Sequence, residues 1–325
     1  MEGPRTVLLL PGQGSQRERM AAGLYGVSPE FTSAMTEFFA AQGHAGTRLA
    51  DQWLRPAPNP DLDDARLAQP LLLAVGHALG RAVTAAAGRP HLLLGHSIGE
   101  LAAACLAGVY RAADLGALAT ARTSVLDDSG RGGMLAVAAA PHELPRNLDR
   151  VAVAALGGPR QTVLSGADDA LETVRARLTA MGRFVRPLRS RHAFHSPLMA
   201  EAARRFAVQL AALETSPPRA TVISSRTAAP VTPRQALNAA FWAEQLALPV
   251  RYWPALKSLL DTAGHDPGLL LLDAASDRSL GAPARHHPAV RSGVSRVVPL
   301  LAPPREAGGP ADAAAFEAAI DVVRG

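Results

Sequence analysis

Leu92-Leu93-Leu94-Gly95-His96-Ser97-Ile98-Gly99-Glu100-Leu101-Ala102-Ala103-Ala104-Cys105-Leu106-Ala107 joins an apolar run, a Gly-x-Ser-x-Gly pentapeptide and a helix-forming run without interruption. A buried strand, a tight turn and a helix in that order lift a serine hydroxyl out at a helix N-terminus, where free N–H groups favour negative charge. The two glycines lack the Cβ that would block the turn and hold the helix away from the strand. Ser97 is therefore the candidate nucleophile; the other local reading is a capping serine in an ordinary strand-to-helix connection. Either way the unit is strand, turn, helix, which belongs to an α/β fold.

Outward from this unit, Thr6 to Leu10 reads as a second buried strand that ends in Pro11-Gly12-Gln13-Gly14-Ser15-Gln16, a loop rich in residues that expose backbone N–H groups. Gln69-Pro70 predicts the start of a helix running to about Ala87, and the helix after Ser97 is expected to stop at Gly108. Asp114 to Asp127 reads as another helix, carrying Arg122. From Gly133 the rhythm changes to strand 134–138, short helix 142–148, strands 151–156 and 162–165, helix 168–181 and strand 184–188. That β-α-β-β-α-β order is the ferredoxin-like unit. We expect it as a small subdomain, 132–196, inserted into a large α/β subdomain formed by 1–131 and 197–325. Beyond it, 197–213 and 241–246 read as helices and 221–224 as a strand. A cleft between the two lobes is the natural site.

With 325 residues, 48% of them hydrophobic, the chain has ample material for a large core. Basic residues exceed acidic ones only modestly, 33 against 28, and Lys257 is the sole lysine, so the charge does not point to nucleic acid. It does favour an acidic partner. The single cysteine, Cys105, excludes an intramolecular disulfide and reads as core. The ten histidines form no metal-binding pattern, and no Gly-x-x-x-x-Gly-Lys phosphate loop is present. No metal is expected. Met1-Glu2-Gly3-Pro4-Arg5 does not read as a signal peptide and no long uninterrupted apolar run occurs, so the expected location is cytoplasmic, with no membrane contact. Pro-rich connections such as 303–310 are too short to divide the chain.

A serine hydroxyl attacks poorly until a neighbour takes its proton, and histidine does that best near neutral pH. Arg191-His192-Ala193-Phe194-His195-Ser196-Pro197 follows the inserted unit, where the chain re-enters the large lobe, and Pro197 stiffens it. Local sequence does not choose between His192 and His195.

Pro11-Gly12-Gln13-Gly14-Ser15-Gln16, Ala68-Gln69-Pro70, Gly95-His96-Ser97-Ile98-Gly99-Glu100, Arg122, Gly157-Gly158-Pro159 through Leu164-Ser165-Gly166, and His192-Ala193-Phe194-His195 occur in one order along the chain. Together they resemble the malonyl-CoA:acyl carrier protein transacylases and polyketide synthase acyltransferase domains. That resemblance implies a hydrolase-like α/β lobe with a ferredoxin-like insert. It makes Ser97 the acylated nucleophile, His195 its general base, and the N–H groups of Gln13 and Ile98 the oxyanion hole. It places Arg122 on the acyl carboxylate and puts Gln69, His192 and Phe194 beside the substrate. The histidine is oriented by a backbone carbonyl, for which Leu248 is the candidate. His-Ala-Phe-His is the form of the motif usual in malonyl-selecting domains. Three stretches depart from the family pattern: Gly157 for asparagine, Thr123 after Arg122 for glycine, and Leu271 to Ser276 for a Glu-x-Gly-Pro-like segment.

The function implied is a two-step transfer of malonyl, or a related acyl group, from CoA to the phosphopantetheine thiol of an acyl carrier protein. No cofactor is held permanently, the pantetheine arriving on the partner. A discrete, monomeric, trans-acting enzyme of polyketide or fatty acid biosynthesis is the expectation. The competing readings are a thioester hydrolase that edits misloaded carriers, transfer of an unusual acyl group, and a carrier-docking protein without catalysis.

Overall fold

The computed structural model describes residues 5–127, 129, 131–265, 267–303 and 305–325; Met1 to Pro4 and Pro304, read above, lie outside the described residues. Ten strands run in chain order: β1 Arg5–Leu10, β2 Leu92–Gly95, β3 Gly133–Val137, β4 Val151–Gly158, β5 Gln161–Gly166, β6 Val185–Pro187, β7 Thr221–Ser224, β8 Ala229–Pro230, β9 Leu269–Asp273 and β10 Arg296–Pro299. Six form the large sheet in the order β10-β9-β1-β2-β7-β8, parallel except for β8. β1 and β2 are the middle pair, with Leu10 opposite Gly95. Both loops that carry the site therefore leave the same end of the sheet, the carboxyl end where open α/β sheets bind ligands.

The unbroken leucines of β1, β2 and β9 follow from burial on both faces. Leu8, Leu10, Leu93, Leu270 and Leu272 join one core, whereas Val7, Leu9, Leu92, Leu94, Leu269 and Leu271 join the other. Each such side chain contributes about 2–3 kcal/mol of apolar burial. β9 and β10 escaped the sequence reading because short apolar runs without a period are silent about strand or helix. The Leu271 to Ser276 departure falls at the end of an interior strand, where buried Asp273 accepts from the N–H groups of Ala275 and Gly281 at 2.9 and 2.7 Å.

The long core helix starts earlier than predicted. It spans Ala65–Ala87, capped by the Asp64 carboxylate on the Arg66 N–H, and accommodates Pro70 within its second turn. It is long and apolar enough to cross a bilayer, yet its apolar positions are buried in the protein. The elbow helix is Ile98–Leu106, and Gly108 follows at φ 78°. The Arg122 helix is Leu115–Ser124. The helix expected over 197–213 divides into a 3₁₀ turn, Pro197–Met199, and the helix Ala200–Leu210.

β3 to β6 form a separate antiparallel sheet in the order β4-β5-β3-β6, the ferredoxin-like arrangement. Its helix Asp168–Ala180 covers one face through Leu171, Val174 and Leu178, which pack on Leu135, Val137 and Leu164. The other expected helix, 142–148, is only a 3₁₀ turn at Pro141–Glu143. Pro145 lacks the N–H a longer helix would need, and its ring disfavours helical geometry at Leu144. The fold is thus a large α/β lobe with a small α/β lobe inserted. Arg131 bridges His192, so the strands entering and leaving the insert run side by side. We propose 132–196 as the extent of that insert, within a large lobe of 1–131 and 197–325.

Candidate active site

Ser97 sits at φ 52°, ψ −117°, a conformation costing a non-glycine residue on the order of 1–3 kcal/mol. The surroundings impose it. A Cβ on Gly95 would lie 2.2 Å from the Glu100 nitrogen, and one on Gly99 would lie 2.3 Å from the Leu10 carbonyl oxygen. Only glycine lets the helix begin this close to the strand ends. The His96 N–H donates to the Leu10 carbonyl at 2.9 Å, stitching the elbow to the Pro11–Gln16 loop. Ile98 is the first residue of its helix, so its N–H has no partner further back along that helix.

His195, and not His192, meets the candidate nucleophile: its Nε2 lies 3.0 Å from Ser97 Oγ. Its Nδ1 lies 3.1 Å from the Leu248 carbonyl oxygen. A carbonyl only accepts, so Nδ1 carries the proton and the neutral ring presents a bare Nε2 to the hydroxyl. Burial, and then the Arg122 charge, push His195 down to about 3, outweighing the carbonyls of Leu248 and Gln245 that favour its protonation. The ring is therefore an empty base at neutral pH. Its backbone is also fixed, at φ 60° with its N–H on the Leu246 carbonyl at 2.7 Å. The 246–250 segment is in turn held by the small lobe, because β4 exchanges bonds with Val250 at 2.8 and 2.9 Å.

Arg122 is 1% exposed, and no carboxylate among the described residues pairs with it. Its Nε donates to Gln69 Oε1 at 2.9 Å and its Nη1 to Gln245 Oε1 at 3.4 Å, with the guanidinium carbon 5.7 Å from the centre of the Phe206 ring. Nη2 is buried without a partner among the described residues. Burial brings its pKa down to about 9, so it remains a cation at neutral pH. A buried positive charge with an unused donor favours an anionic acceptor. Gln245 and Phe206 were not read from the sequence, since nothing local marks a residue whose role is to touch a side chain more than eighty positions away.

A cleft of about 800 Å³ lies between the lobes, lined by Gln13, Gln69, Ser97, Phe194 and His195 among others. Arg122 lies one side chain behind that wall, reached through Gln69. Arg17, Arg186 and Arg189 stand at its sides.

The acyl transferase domain family matches residues 7–267. The chain belongs to that family. A polyketide synthase of Mycobacterium marinum, phenolphthiocerol synthesis polyketide synthase type I Pks15/1, is 35% identical over 261 residues, which are 78% of this chain and 12% of that protein. The chain thus corresponds to a small part of that relative. The acyltransferase domain from the second module of the salinomycin polyketide synthase has a TM-score of 0.85 at 34% identity, over 98% of this chain and 72% of that one. The malonyl CoA-acyl carrier protein transacylase of Coxiella burnetii shares the fold, with a TM-score of 0.82 at 24% identity over 99% and 98% of the two chains.

As an acyl transferase domain, the chain places its remaining expected residues as follows. Phe194 is 4% exposed and lines the cleft. His192 is not among the residues lining it: its Nε2 lies 3.2 Å from the Leu126 carbonyl and its ring packs 5.2 Å from that of Phe194, so it backs Phe194. Thr123 turns its hydroxyl to the Ala119 carbonyl at 3.0 Å, within its own helix. Gly157 lies in β4, where a Cβ would stand 3.2 Å from the Gln161 side chain.

Proposed function

We propose that this acyltransferase moves a malonyl group from CoA to the phosphopantetheine thiol of an acyl carrier protein through an ester on Ser97. The observation that carries the reading is the bare His195 Nε2 at 3.0 Å from Ser97 Oγ, in a cleft behind whose wall lies a buried guanidinium with an Nη2 that has no partner among the described residues. A neutral acyl chain would leave that donor unsatisfied. The distal carboxylate of malonyl supplies the missing acceptor and charge.

In the first half-reaction His195 Nε2 takes the Ser97 proton as Oγ attacks the thioester carbonyl. The oxyanion is stabilised by the N–H groups of Gln13 and Ile98. The tetrahedral adduct collapses, the C–S bond breaks, and the CoA thiol leaves with the proton from His195. In the second half the pantetheine thiol gives its proton to His195 and attacks the ester, and Ser97 recovers its proton as the C–O bond breaks. Leu248 keeps the imidazole in one tautomer throughout. Phe194 narrows the space at the malonyl α-carbon. Arg17, Arg186 and Arg189 favour the anionic donor and an acidic carrier surface.

No cofactor is required beyond the pantetheine that the carrier brings. The fold relatives named above work in polyketide assembly or on a malonyl thioester, and we place this chain in polyketide or fatty acid biosynthesis, acting in trans as a cytoplasmic monomer. Incubating the malonylated protein with a pantetheinylated carrier tests the reading. Malonyl on the carrier thiol supports it, and release of free malonate as the sole product indicates a hydrolase instead.

A further inference from the structure

Three side chains form a directional chain that runs from behind the cleft wall into its lining. Arg122 Nε donates to Gln69 Oε1 at 2.9 Å, and Gln69 Nε2 donates to Gln13 Oε1 at 2.9 Å. Arginine can only donate, so the Gln69 amide is fixed with its oxygen toward Arg122 and its nitrogen toward Gln13. Turning it over would set donor against donor at one end and acceptor against acceptor at the other. Gln69 itself is 2% exposed, on the second turn of the rigid helix Ala65–Ala87. The loop it grips is otherwise tied on its far side, through Gln16 to Asp63 at 3.1 Å and through Ser276 to the Ser15 carbonyl at 2.7 Å. Among the described residues, Gln69 makes the side-chain hydrogen bond that reaches Gln13.

We propose that Gln69 is a positioning residue that couples the Arg122 guanidinium to the Gln13 end of the oxyanion hole, so that the anion clamp and the hole are held in register as one unit. Binding of an acyl carboxylate by Arg122 then acts on kcat as well as on affinity. The guanidinium is ordered by its ligand, the order passes through the Gln69 amide, and the Gln13 N–H is held where the oxyanion forms. The identity of the carboxylate rests on the malonyl reading above. The mechanical coupling does not.

The two ideas separate in one experiment. An uncharged alkyl fluorophosphonate phosphonylates Ser97, the Oγ–P bond forming as the P–F bond breaks and fluoride leaves. It uses the nucleophile, base and oxyanion hole but carries no carboxylate for Arg122 to hold. Second-order labelling rates are measured for the wild type, Gln69→Leu, Gln13→Leu, Arg122→Ala and the Gln69→Leu/Arg122→Ala pair, each checked for an unchanged far-UV spectrum and cooperative melt. Coupling predicts that Gln69→Leu and Arg122→Ala each slow labelling on the order of tenfold, with the pair no slower than either alone. Gln13→Leu, which cuts the same link from the other end, gives the same loss should Gln69→Leu fail to fold. Gln69→Leu keeps the guanidinium charge near His195, so its pH profile stays that of the wild type. Wild-type labelling in Arg122→Ala, or multiplying losses in the pair, overturns the coupling. A wild type that labels as described but never accepts malonyl overturns the malonyl reading and leaves the coupling standing.

Discussion

The Ser97 hydroxyl and the His195 imidazole meet at 3.0 Å across 98 positions of sequence, and the Leu248 carbonyl on the far side of the ring fixes which nitrogen faces the serine. Replacing His195 by Ala removes the proton acceptor, and acylation of Ser97 should fall by about 10⁴-fold or more. Stopped-flow acylation rates check this.

The pH dependence has a definite sign. Because burial and the Arg122 charge hold His195 down at about 3, the base is already unprotonated at every pH where the protein is handled. With an uncharged acyl-CoA donor, the acylation kcat/KM should stay level from pH 8 down to about pH 5, where an ordinary histidine would have lost most of its activity. Arg122→Ala removes a repulsion that disfavours the imidazolium, so its acid limb should move to higher pH. An acid limb near 6.5 in the wild type would contradict the assignment.

Arg122→Ala should also change selectivity. The variant loses a charge-assisted pair to the acyl carboxylate, and malonyl loading should fall about 10²-fold or more while acetyl loading falls far less. Competition between the two CoA thioesters, read by mass, measures the ratio.

Gly99→Ala tests the elbow. The added Cβ would sit 2.3 Å from the Leu10 carbonyl, so the helix must move away from the strand and carry Ser97 with it. We expect a stability loss of about 1–3 kcal/mol in chemical denaturation and a proportionally larger loss of acylation.

Glu100 offers a stability test in the same helix. Its carboxyl is pushed up to about 7, by burial first and against the pull of hydrogen bonds from Ser224 and Ser225, and Oε1 has no partner. A raised folded pKa means that the folded state holds its proton over a range where the unfolded chain has lost it. Its contribution is therefore full below about 4.5 and is lost as pH rises through about 7. Glu100→Gln, which stays neutral, should gain on the wild type by on the order of 2–3 kcal/mol between pH 4.5 and pH 8.5. A constant difference in melting across that range would refute the account.

What could be read from the sequence was what neighbours in the chain decide. Leu92 to Ala107 encodes its strand, turn and helix locally, and Thr6 to Leu10 shows its burial in composition alone. The small lobe shows itself through alternating strand and helix patterns, and Pro145 stops the helix that the pattern over 142–148 suggests. What was hidden depends on the tertiary fold. His192 and His195 are equivalent as letters, and only packing turns one ring toward Leu126 and the other toward Ser97. Gln245 and Phe206 surround Arg122 from the later half of the chain, and β9 gains its strand identity from pairing with β1.

The most direct test is the intact mass of the protein after brief exposure to a panel of acyl-CoA donors, with Ser97→Ala alongside. The account predicts one malonyl ester on the wild type, mapped to Ser97, with malonyl favoured over acetyl and propionyl, and no adduct on the variant. A malonyl adduct that persists in Ser97→Ala, or a wild type that takes up neutral acyl groups and refuses malonyl, would contradict it.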